Sequence, residues 1–252
     1  MRPYTLLIAL AASATLAACQ GTPLATSPTA SAAAPEPGII RLAGHAALDS
    51  LAFPAVFEAA FSAGTTAKQG AATYTFTVAH LGNLSSQTGK LLAGDPITIA
   101  DRAAFTQRFP VGAFPVELAL AKTTGDERVG FARVCFSQHR VAKWQLALLP
   151  GQKPLALTAS TVYCYGVDAG MGVFIDSVAN QQFALRGQLA WDTVFIRNTN
   201  LPGYGGYLYR FAGHSLATFA TGLGDGCYAT YIGYDASGDV CRLLTDFGLV
   251  VW

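Results

Sequence analysis

The stretch from Ser215 to Val250 constrains the fold most, because a strand, a glycine-rich corner and a β-hairpin follow one another without interruption. Large side chains alternate with smaller ones from Tyr228 to Tyr234, and a period of two is typical of a half-buried strand. Residues 235–238 have the composition of a hairpin tip. The stretch therefore predicts an antiparallel sheet, and it indicates no particular reaction.

Shorter segments with the same alternation recur through the preceding part of the chain. We predict strands at residues 73–80, 114–120, 129–136, 141–148, 161–167, 191–196 and 207–211, and helices at residues 48–62 and 175–183. Turn residues separate these segments, and no repeat or change of composition divides residues 38–252. Short strands joined by turns predict a single mostly-β domain of the α+β kind, an antiparallel sandwich or strongly bent sheet with one or two short helices.

Residues 1–18 have the features of a lipoprotein signal peptide, namely one basic residue, a short apolar run and small residues before a cleavage site. The run is shorter than the roughly 20 apolar residues that cross a bilayer. Leu16-Ala17-Ala18-Cys19 resembles the bacterial lipoprotein box, after which the signal is removed and Cys19 carries acyl chains such as palmitate. Two or more such chains hold a protein stably on a membrane. The alternative is ordinary cleavage, with Cys19 incidental.

Residues 19–37 follow as a linker rich in Pro, Ala, Ser and Thr, which predicts a tether between the lipidated cysteine and the domain. The predicted location is therefore the bacterial cell envelope, with the membrane as a partner through Cys19. Gln20 stands where an Asp would resemble an inner-membrane retention signal, so the outer membrane is favoured if the cell has two membranes.

Charge limits the classes of partner. Without residues 1–18, which hold one arginine, the formal charge of +1 falls to zero. A neutral chain argues against nucleic acid as a partner, because nucleic acid requires a basic surface. It also argues against electrostatic steering of a strongly charged substrate. The sequence leaves the identity of a protein or small-molecule partner open.

Four cysteines follow Cys19, and an even number in an exported protein favours two disulfides with three connectivities. A four-residue hairpin tip would pair Ile232 with Cys241 and place Cys227 and Cys241 farther apart than the roughly 7 Å that a disulfide allows between Cα atoms. That bridge is therefore disfavoured, and buried free thiols are the alternative. The four residues are Cys135, Cys164, Cys227 and Cys241.

An ordered series of segments runs through the chain at residues 89–96, 109–116, 128–134, 144–147, 165–176, 222–228 and 245–247. Two of them contain the motifs Val-Asp-x-Gly, ending at Gly170, and Gly-Asp-Gly-x-Tyr, ending at Tyr228. The series resembles the bacterial family known as domain of unknown function 4241. The resemblance implies a mostly-β domain with these two motifs as its signature, and it implies no activity. At Leu223 the family pattern would have a tryptophan.

Acidic residues in apolar or glycine-rich surroundings are the candidate functional groups, because burying a carboxylate is costly unless it is paired or hydrogen-bonded. Asp168, Asp176 and Asp225 are the candidate catalytic residues, either as oxygen ligands of a divalent cation or as an acid–base pair. The alternative is that each carboxylate caps its own turn. Asp95, in the turn sequence Gly94-Asp95-Pro96, has similar surroundings.

Asp246 lies in the middle of a predicted strand, where a turn does not explain it. The sequence predicts either a role at the site or an inward salt bridge with an arginine such as Arg133 or Arg242. The candidate binding residues as a group are Gly170, Gly224, Gly226, Tyr228 and Asp246.

Two other kinds of site are disfavoured. The glycine-rich segment at residues 222–226 runs into a strand rather than a helix, so it lacks the anion site of a nucleotide-binding loop. The four histidines have no metal-ligand spacing, and no cofactor is identified. The sequence therefore predicts an envelope lipoprotein that works as a binding or interaction module. The alternative is a hydrolase-like enzyme that uses the clustered aspartates, with or without a divalent cation.

Overall fold

The computed structural model describes residues 39–41, 57–69, 71–155, 161–196 and 205–249. The predicted signal peptide, Cys19 and the linker lie outside these residues, and so does the part of the predicted helix before residue 57. None of the helices in the described ranges is long and apolar enough to cross a membrane.

Strands form about half of the structure, which confirms the mostly-β prediction. Their bounds are β1 Ile39–Arg41, β2 Thr66–Gln69, β3 Ala72–Ser86, β4 Leu91–Gly94, β5 Gly112–Thr123, β6 Asp126–Cys135, β7 Lys143–Leu146, β8 Thr161–Tyr163, β9 Tyr165–Val167, β10 Met171–Asp176, β11 Gly206–Phe211, β12 His214–Ala220, β13 Gly226–Tyr234 and β14 Val240–Asp246. All the pairings between these strands are antiparallel.

The helical elements are short. They are α1 Ser177–Ala184, α2 Gly187–Trp191, a 3-10 turn Ile99–Asp101 and a π-helical turn Asp192–Ile196, and residues 57–59 are also helical. The prediction of a helix at residues 175–183 holds from Ser177 onward, while Ile175 and Asp176 end β10.

Two sheets make up the body of the domain. The larger one has the order β2-β3-β5-β6-β14-β13-β7, with β9 also paired to β13, and the smaller one has the order β11-β12-β10-β4. A first hydrophobic core lies between them, where Leu118, Val134 and Ile232 of the larger sheet pack in one cluster with Phe174 and Phe219 of the smaller sheet. The two sheets therefore form a sandwich, which is one of the two arrangements that the sequence predicts.

Strand β13 departs from its predicted environment. Ile232 belongs to the core between the sheets, whereas its neighbour Tyr231 belongs to a second core on the outer face of the larger sheet, with Phe57 and Trp144. Both faces of the strand are buried, so the prediction of a half-buried strand was wrong. The cause is the cover on the outer face, which includes the helical turn at residues 57–59 and which the period of two cannot reveal.

The segment at residues 191–196 is helical, so the strand predicted there was wrong. Phe195 packs with Phe183 of α1 and with Ile175 and Leu216 of the smaller sheet in a third core. The indole nitrogen of Trp191 donates to the carbonyl of Pro96 at 3.1 Å. Packing against the outer face of this sheet outweighs the strand propensity of the sequence Thr-Val-Phe-Ile, because propensities are small beside burial.

The hairpin of β13 and β14 has a different register from the one predicted. Ile232 pairs with Leu243 rather than with Cys241, and the register shifts at Gly233/Tyr234. Asp235 closes the tip, because its carboxylate accepts hydrogen bonds from the backbone N–H groups of Ser237 at 2.9 Å and Asp239 at 3.0 Å. The tip between Tyr234 and Val240 has five residues instead of four, which moves the register by one residue, and the extra residue of the bulge moves it by one more.

Candidate functional site

Two connections between the sheets lie side by side. Residues 168–170 join β9 to β10, and residues 221–225 join β12 to β13. Because β9 pairs with β13 and β10 pairs with β12, both segments pass between the sheets at the same place. We call these two segments together the crossover corner. Both signature motifs of the sequence end at or beside it.

Hydrogen bonds join the two halves of the crossover corner. The N–H of Gly170 donates to Oδ1 of Asp225 at 3.1 Å, and the N–H of Thr221 donates to the carbonyl of Gly170 at 3.2 Å. The hydroxyl of Tyr228 donates to the carbonyl of Gly224 at 2.7 Å. The structure therefore brings together four residues of the predicted site, namely Gly170, Gly224, Asp225 and Tyr228. The contacts between them are hydrogen bonds that hold the corner together.

Gly222 has a conformational reason to be glycine. Its φ is +51°, and a Cβ there would lie 3.1 Å from Cβ of Phe247. Positive φ is unfavourable for side chains with a Cβ, and the space is occupied as well. The glycine thus lets the chain turn against the end of β14.

Asp95 forms hydrogen bonds with the β9–β10 segment of the crossover corner. Its side chain is buried, and Oδ2 accepts from the N–H groups of Asp168 at 2.7 Å and Ala169 at 2.8 Å. Oδ1 accepts from the N–H of Ile97 at 2.5 Å. Backbone donors compensate the burial of this carboxylate. Asp95 therefore caps its own turn and also connects it to the turn after β9.

A disulfide joins Cys164 to Cys227, with a Cα–Cα distance of 5.4 Å, and covalently fixes β13 to the start of β9. Cys135 and Cys241 are buried free thiols, so the prediction of two disulfides was wrong. They occupy opposite faces of the larger sheet, since Cys135 lies opposite Arg242, the neighbour of Cys241. Burial raises the pKa of Cys135 to about 12.

Asp168 and Asp225 become neighbours at the crossover corner. The ladder of β9 and β13 ends at Val167 opposite Gly226, so the next residue of each strand continues to the same edge. Both aspartates are exposed. The side chain of Leu223, two residues before Asp225 in the same segment, is 73% exposed. The structure thus places two carboxylates and one aliphatic side chain on a fixed surface.

Asp176 lies far from the crossover corner, at the other end of β10. It ends β10, whose six residues span roughly 17 Å at about 3.4 Å per residue, so the whole strand separates it from the crossover corner. Its carboxylate is fully buried and accepts from the N–H groups of Gln87 at 3.0 Å, Thr88 at 2.9 Å and Val178 at 3.0 Å. It caps α1 and attaches the end of β3 to it. Within the described ranges, no group of three or more metal-binding side chains occurs.

Asp246 ends β14 on the outer face of the larger sheet, opposite Phe131. Its Oδ1 accepts from the N–H of Gly248 at 2.8 Å, and burial raises its pKa to about 6. Arg133 and Arg242, which the sequence offers as salt-bridge partners of Asp246, form salt bridges with glutamates instead.

The salt bridges of these two arginines form one network on the outer face of the larger sheet. Arg133 binds Glu58 at 3.0 Å and Glu117 at 2.7 Å, while Arg242 binds Glu58 at 3.4 Å. The predicted salt bridge of Asp246 was therefore wrong. The glutamates come from a helical turn and from β5, which no local pattern around Asp246 could indicate.

Sequence reasoning missed one charged residue near the crossover corner. Arg102 follows the 3-10 turn and lines a small pocket with Tyr165 and Tyr228. Nothing in its own sequence neighbourhood distinguishes it from a surface arginine. Its guanidinium carbon lies 5.4 Å from the centre of the Tyr165 ring, although the two residues are remote in sequence.

A sandwich with a disulfide-linked crossover corner defines the class of fold. The family model described as a protein of unknown function, DUF4241, matches residues 84–245, which is more than half of the chain, and the chain belongs to this family. The match confirms the resemblance and includes both signature motifs. No curated protein matches the chain, and no solved structure matches it.

Proposed function

We propose that this chain is an envelope lipoprotein and that its domain is a binding module with the crossover corner as its contact surface. The location is supported by the disulfide Cys164–Cys227, because disulfides persist in oxidising compartments outside the cytoplasm. It is also supported by the lipoprotein box at Cys19. The disulfide and the signal sequence are independent observations that favour the same compartment.

The binding role is supported by one observation above all, the exposure of Leu223 on a corner whose backbone is held by cross-links. An exposed aliphatic side chain on the same corner as Asp168 and Asp225 suits a partner that offers an apolar contact together with basic or amide groups. The disulfide and Asp95 hold this surface in place before binding, which lowers the entropy cost of association.

Purification of bound partners tests the contact surface. We would solubilise the envelope and capture wild type, Leu223→Ser, Asp168→Asn and Asp225→Ala with whatever they bind. Leu185→Ser is the matched control, because Leu185 is also a strongly exposed leucine and lies at the end of α1, outside the crossover corner. We expect the corner variants to lose a partner that wild type and the control retain. The same set of partners with all five proteins would contradict the role of the corner.

Localisation is tested separately. We expect wild type to be found in the membrane fraction with an acylated Cys19 as its first residue, detected by mass spectrometry. The Cys19→Ala variant should lose the acyl chains and leave the membrane fraction or remain unprocessed. A wild-type chain with unmodified Cys19 in the cytosol would exclude the lipoprotein assignment.

A second candidate function is supported by the neighbouring positions of Asp168 and Asp225. Two exposed carboxylates at one edge could hold a divalent cation for a hydrolase-like reaction, since hard cations prefer oxygen ligands. Asp176 lies too far along β10 to join them. The test is calcium or magnesium titration followed by thermal unfolding. Saturable stabilisation that is lost in Asp168→Asn favours this candidate, and an unchanged melting temperature removes it.

A further inference from the structure

We propose that a pocket between α1, α2 and the 3-10 turn binds a small neutral molecule that has an aromatic ring and one O–H or N–H donor. The pocket lies beside the third core, and its volume is about 240 Å³. An apolar cavity of about 150 Å³ is large enough to bind benzene, so a ring with one substituent fits here. The site does not depend on the role proposed for the crossover corner.

The inner wall of the pocket is apolar and aromatic. Ile99 and Phe183 are buried members of the third core, and Trp191 also lines the pocket. The rings of Phe183 and Trp191 both contact the ring of Phe195, with centroid distances of 5.7 Å and 5.4 Å. Rings held in this way offer an edge or a face to a further aromatic ring, and this contact adds to the gain from burying apolar surface.

Two hydrogen bonds attach the helices to the segment at residues 96–100. Nδ2 of Asn180 in α1 donates to the carbonyl of Ile99 at 2.8 Å, and the indole nitrogen of Trp191 in α2 donates to the carbonyl of Pro96 at 3.1 Å. All four of these residues line the pocket. The pocket is therefore formed before a ligand binds, which lowers the entropy cost of binding.

Asn180 supplies an unused acceptor in this apolar site. The residue is 5% exposed, and its Nδ2 is occupied by the carbonyl of Ile99. Its Oδ1 accepts no hydrogen bond from any residue that the structure describes. This oxygen is not fully buried either, so it faces open space, which the pocket provides. A donor on a ligand would satisfy this acceptor, and an unpaired polar group in an apolar site is costly.

Small residues keep the mouth of the pocket open. Ala100, Ala184 and Gly187 are exposed and lie at the rim. At Gly187 an added Cβ would meet no other atom within 4 Å, so the space beside it is free. Gln188, which is also at the rim, donates its amide to Asp192 at 2.6 Å. The rim therefore leaves an entrance to the aromatic wall and to the acceptor.

The lining favours a neutral ligand. No charged side chain is among the described residues that line the pocket. A bound ion would lose water without gaining a counter-charge, and this exchange is costly. An uncharged ring with one donor matches both the apolar wall and the single acceptor.

Four probes that share one ring test the class of ligand with the full-length protein. Benzyl alcohol is neutral and has a donor, ethylbenzene is similar in size and has none, and benzylammonium and benzoate carry opposite charges. Binding is followed by isothermal calorimetry and by the indole N–H signal of Trp191 in nitrogen-15 NMR spectra. We expect saturable binding of the two neutral probes and at least about ten-fold weaker binding of both ions, as expected for burial of an unpaired charge. Absence of saturable binding of benzyl alcohol, or equal binding of the ions, would overturn the proposal.

Two variants locate the binding. Asn180→Leu removes the acceptor and should weaken binding of benzyl alcohol relative to ethylbenzene by about five-fold, as expected for one hydrogen bond. Ala184→Phe places a ring at the rim and should prevent saturable binding of both neutral probes. Gln182→Phe is the matched control, because Gln182 is exposed on the same helix but does not line the pocket.

The outcomes of these variants are decisive in either direction. An unchanged ratio of the two affinities in Asn180→Leu, or equal effects of the two phenylalanine variants, would overturn the proposal. If Asn180→Leu does not fold, the comparison of Ala184→Phe with Gln182→Phe decides alone. The purification that tests the crossover corner uses none of these variants, so failure of one proposal leaves the other intact.

Discussion

Two aspartates that look alike in the sequence have opposite surroundings in the structure. Asp176 is fully buried and accepts three backbone hydrogen bonds, whereas Asp168 is exposed, and only its backbone N–H takes part in a hydrogen bond with a described residue. For these two aspartates, the burial of the side chain and not the residue type therefore decides how much the side chain contributes to stability.

We expect Asp176→Asn to lower the free energy of unfolding by about 2–4 kcal/mol, because an amide nitrogen would face backbone donors and the buried acceptors would be lost. Asp168→Asn is the matched control and should change it by less than about 0.5 kcal/mol. Unfolding in urea, followed by far-UV circular dichroism, gives both values. Equal losses in the two variants would contradict the assigned roles.

Asp246 should make stability depend on pH. Its folded-state pKa of about 6 lies above the unfolded value of about 3.9, so its favourable contribution is complete below about pH 4 and is lost as the pH rises through 6. Relative to that of Asp246→Asn, the free energy of unfolding of wild type should fall by up to about 3 kcal/mol between pH 4 and pH 7.5.

Urea unfolding of wild type and Asp246→Asn at the two pH values measures this change. The comparison removes the contributions of the other titratable groups, which are the same in both proteins. Asp168→Asn, an exposed aspartate, serves as the control. A constant difference between wild type and Asp246→Asn across this range would show that Asp246 titrates normally.

At the scale of elements, the crossover corner joins the two sheets through strand pairing, Asp95 and one disulfide. The disulfide closes a loop with a sequence separation of 63 residues. Closing such a loop restricts the unfolded chain, and the expected stabilisation is about 4 kcal/mol. The corner is therefore the place where covalent and noncovalent links between elements coincide.

We expect the double variant Cys164→Ala/Cys227→Ala to lose about 4 kcal/mol of unfolding free energy. Cys135→Ala, at a buried free thiol, should lose less than about 1.5 kcal/mol. Thiol titration of residues 38–252 in denaturant should detect two reactive cysteines before reduction and four after it. Four reactive cysteines before reduction would show that the disulfide is absent.

At the scale of the whole molecule, three cores are stacked on the faces of two sheets. The larger sheet contributes to the first and second cores, and the smaller sheet contributes to the first and third. Because each sheet takes part in two cores, loss of one sheet removes two packing surfaces at once. This arrangement favours cooperative unfolding of the domain.

We expect residues 38–252 alone to unfold in a single transition at the same urea midpoint as the chain from residue 19, because the linker has the composition of a tether without a packing pattern. Tryptophan fluorescence and far-UV circular dichroism should report the same curve. Two separate transitions, or a shifted midpoint after removal of residues 19–37, would contradict this domain boundary.

Much of the fold was predictable because strand alternation and turn residues are local signals. The strands around Thr77, Leu118 and Tyr231 and the hairpin tip at Asp235 lie where the sequence predicts them. The segment at residues 191–196 was not predictable, since its helical form depends on packing against a distant sheet.

The candidate site was predictable only in part. The sequence indicated Gly170, Asp225 and Tyr228, because glycines and an aspartate in a turn have local causes, and the structure brings them together. It could not indicate Arg102, whose guanidinium lies near the ring of Tyr165 although the two residues are remote in sequence. It also could not separate Asp176 from Asp168, since their distance follows from the direction of β10.

The sequence by itself determined the strands, the turns and the family of this protein, because each depends on residues near one another or on an ordered series of motifs. Only the tertiary structure decided which cysteines pair, which carboxylates are buried and which arginines form ion pairs. These properties depend on contacts between residues that are remote in sequence, such as Cys164 with Cys227 and Asp95 with Asp168. Strand pairing and sheet packing create those contacts, and no local pattern encodes them.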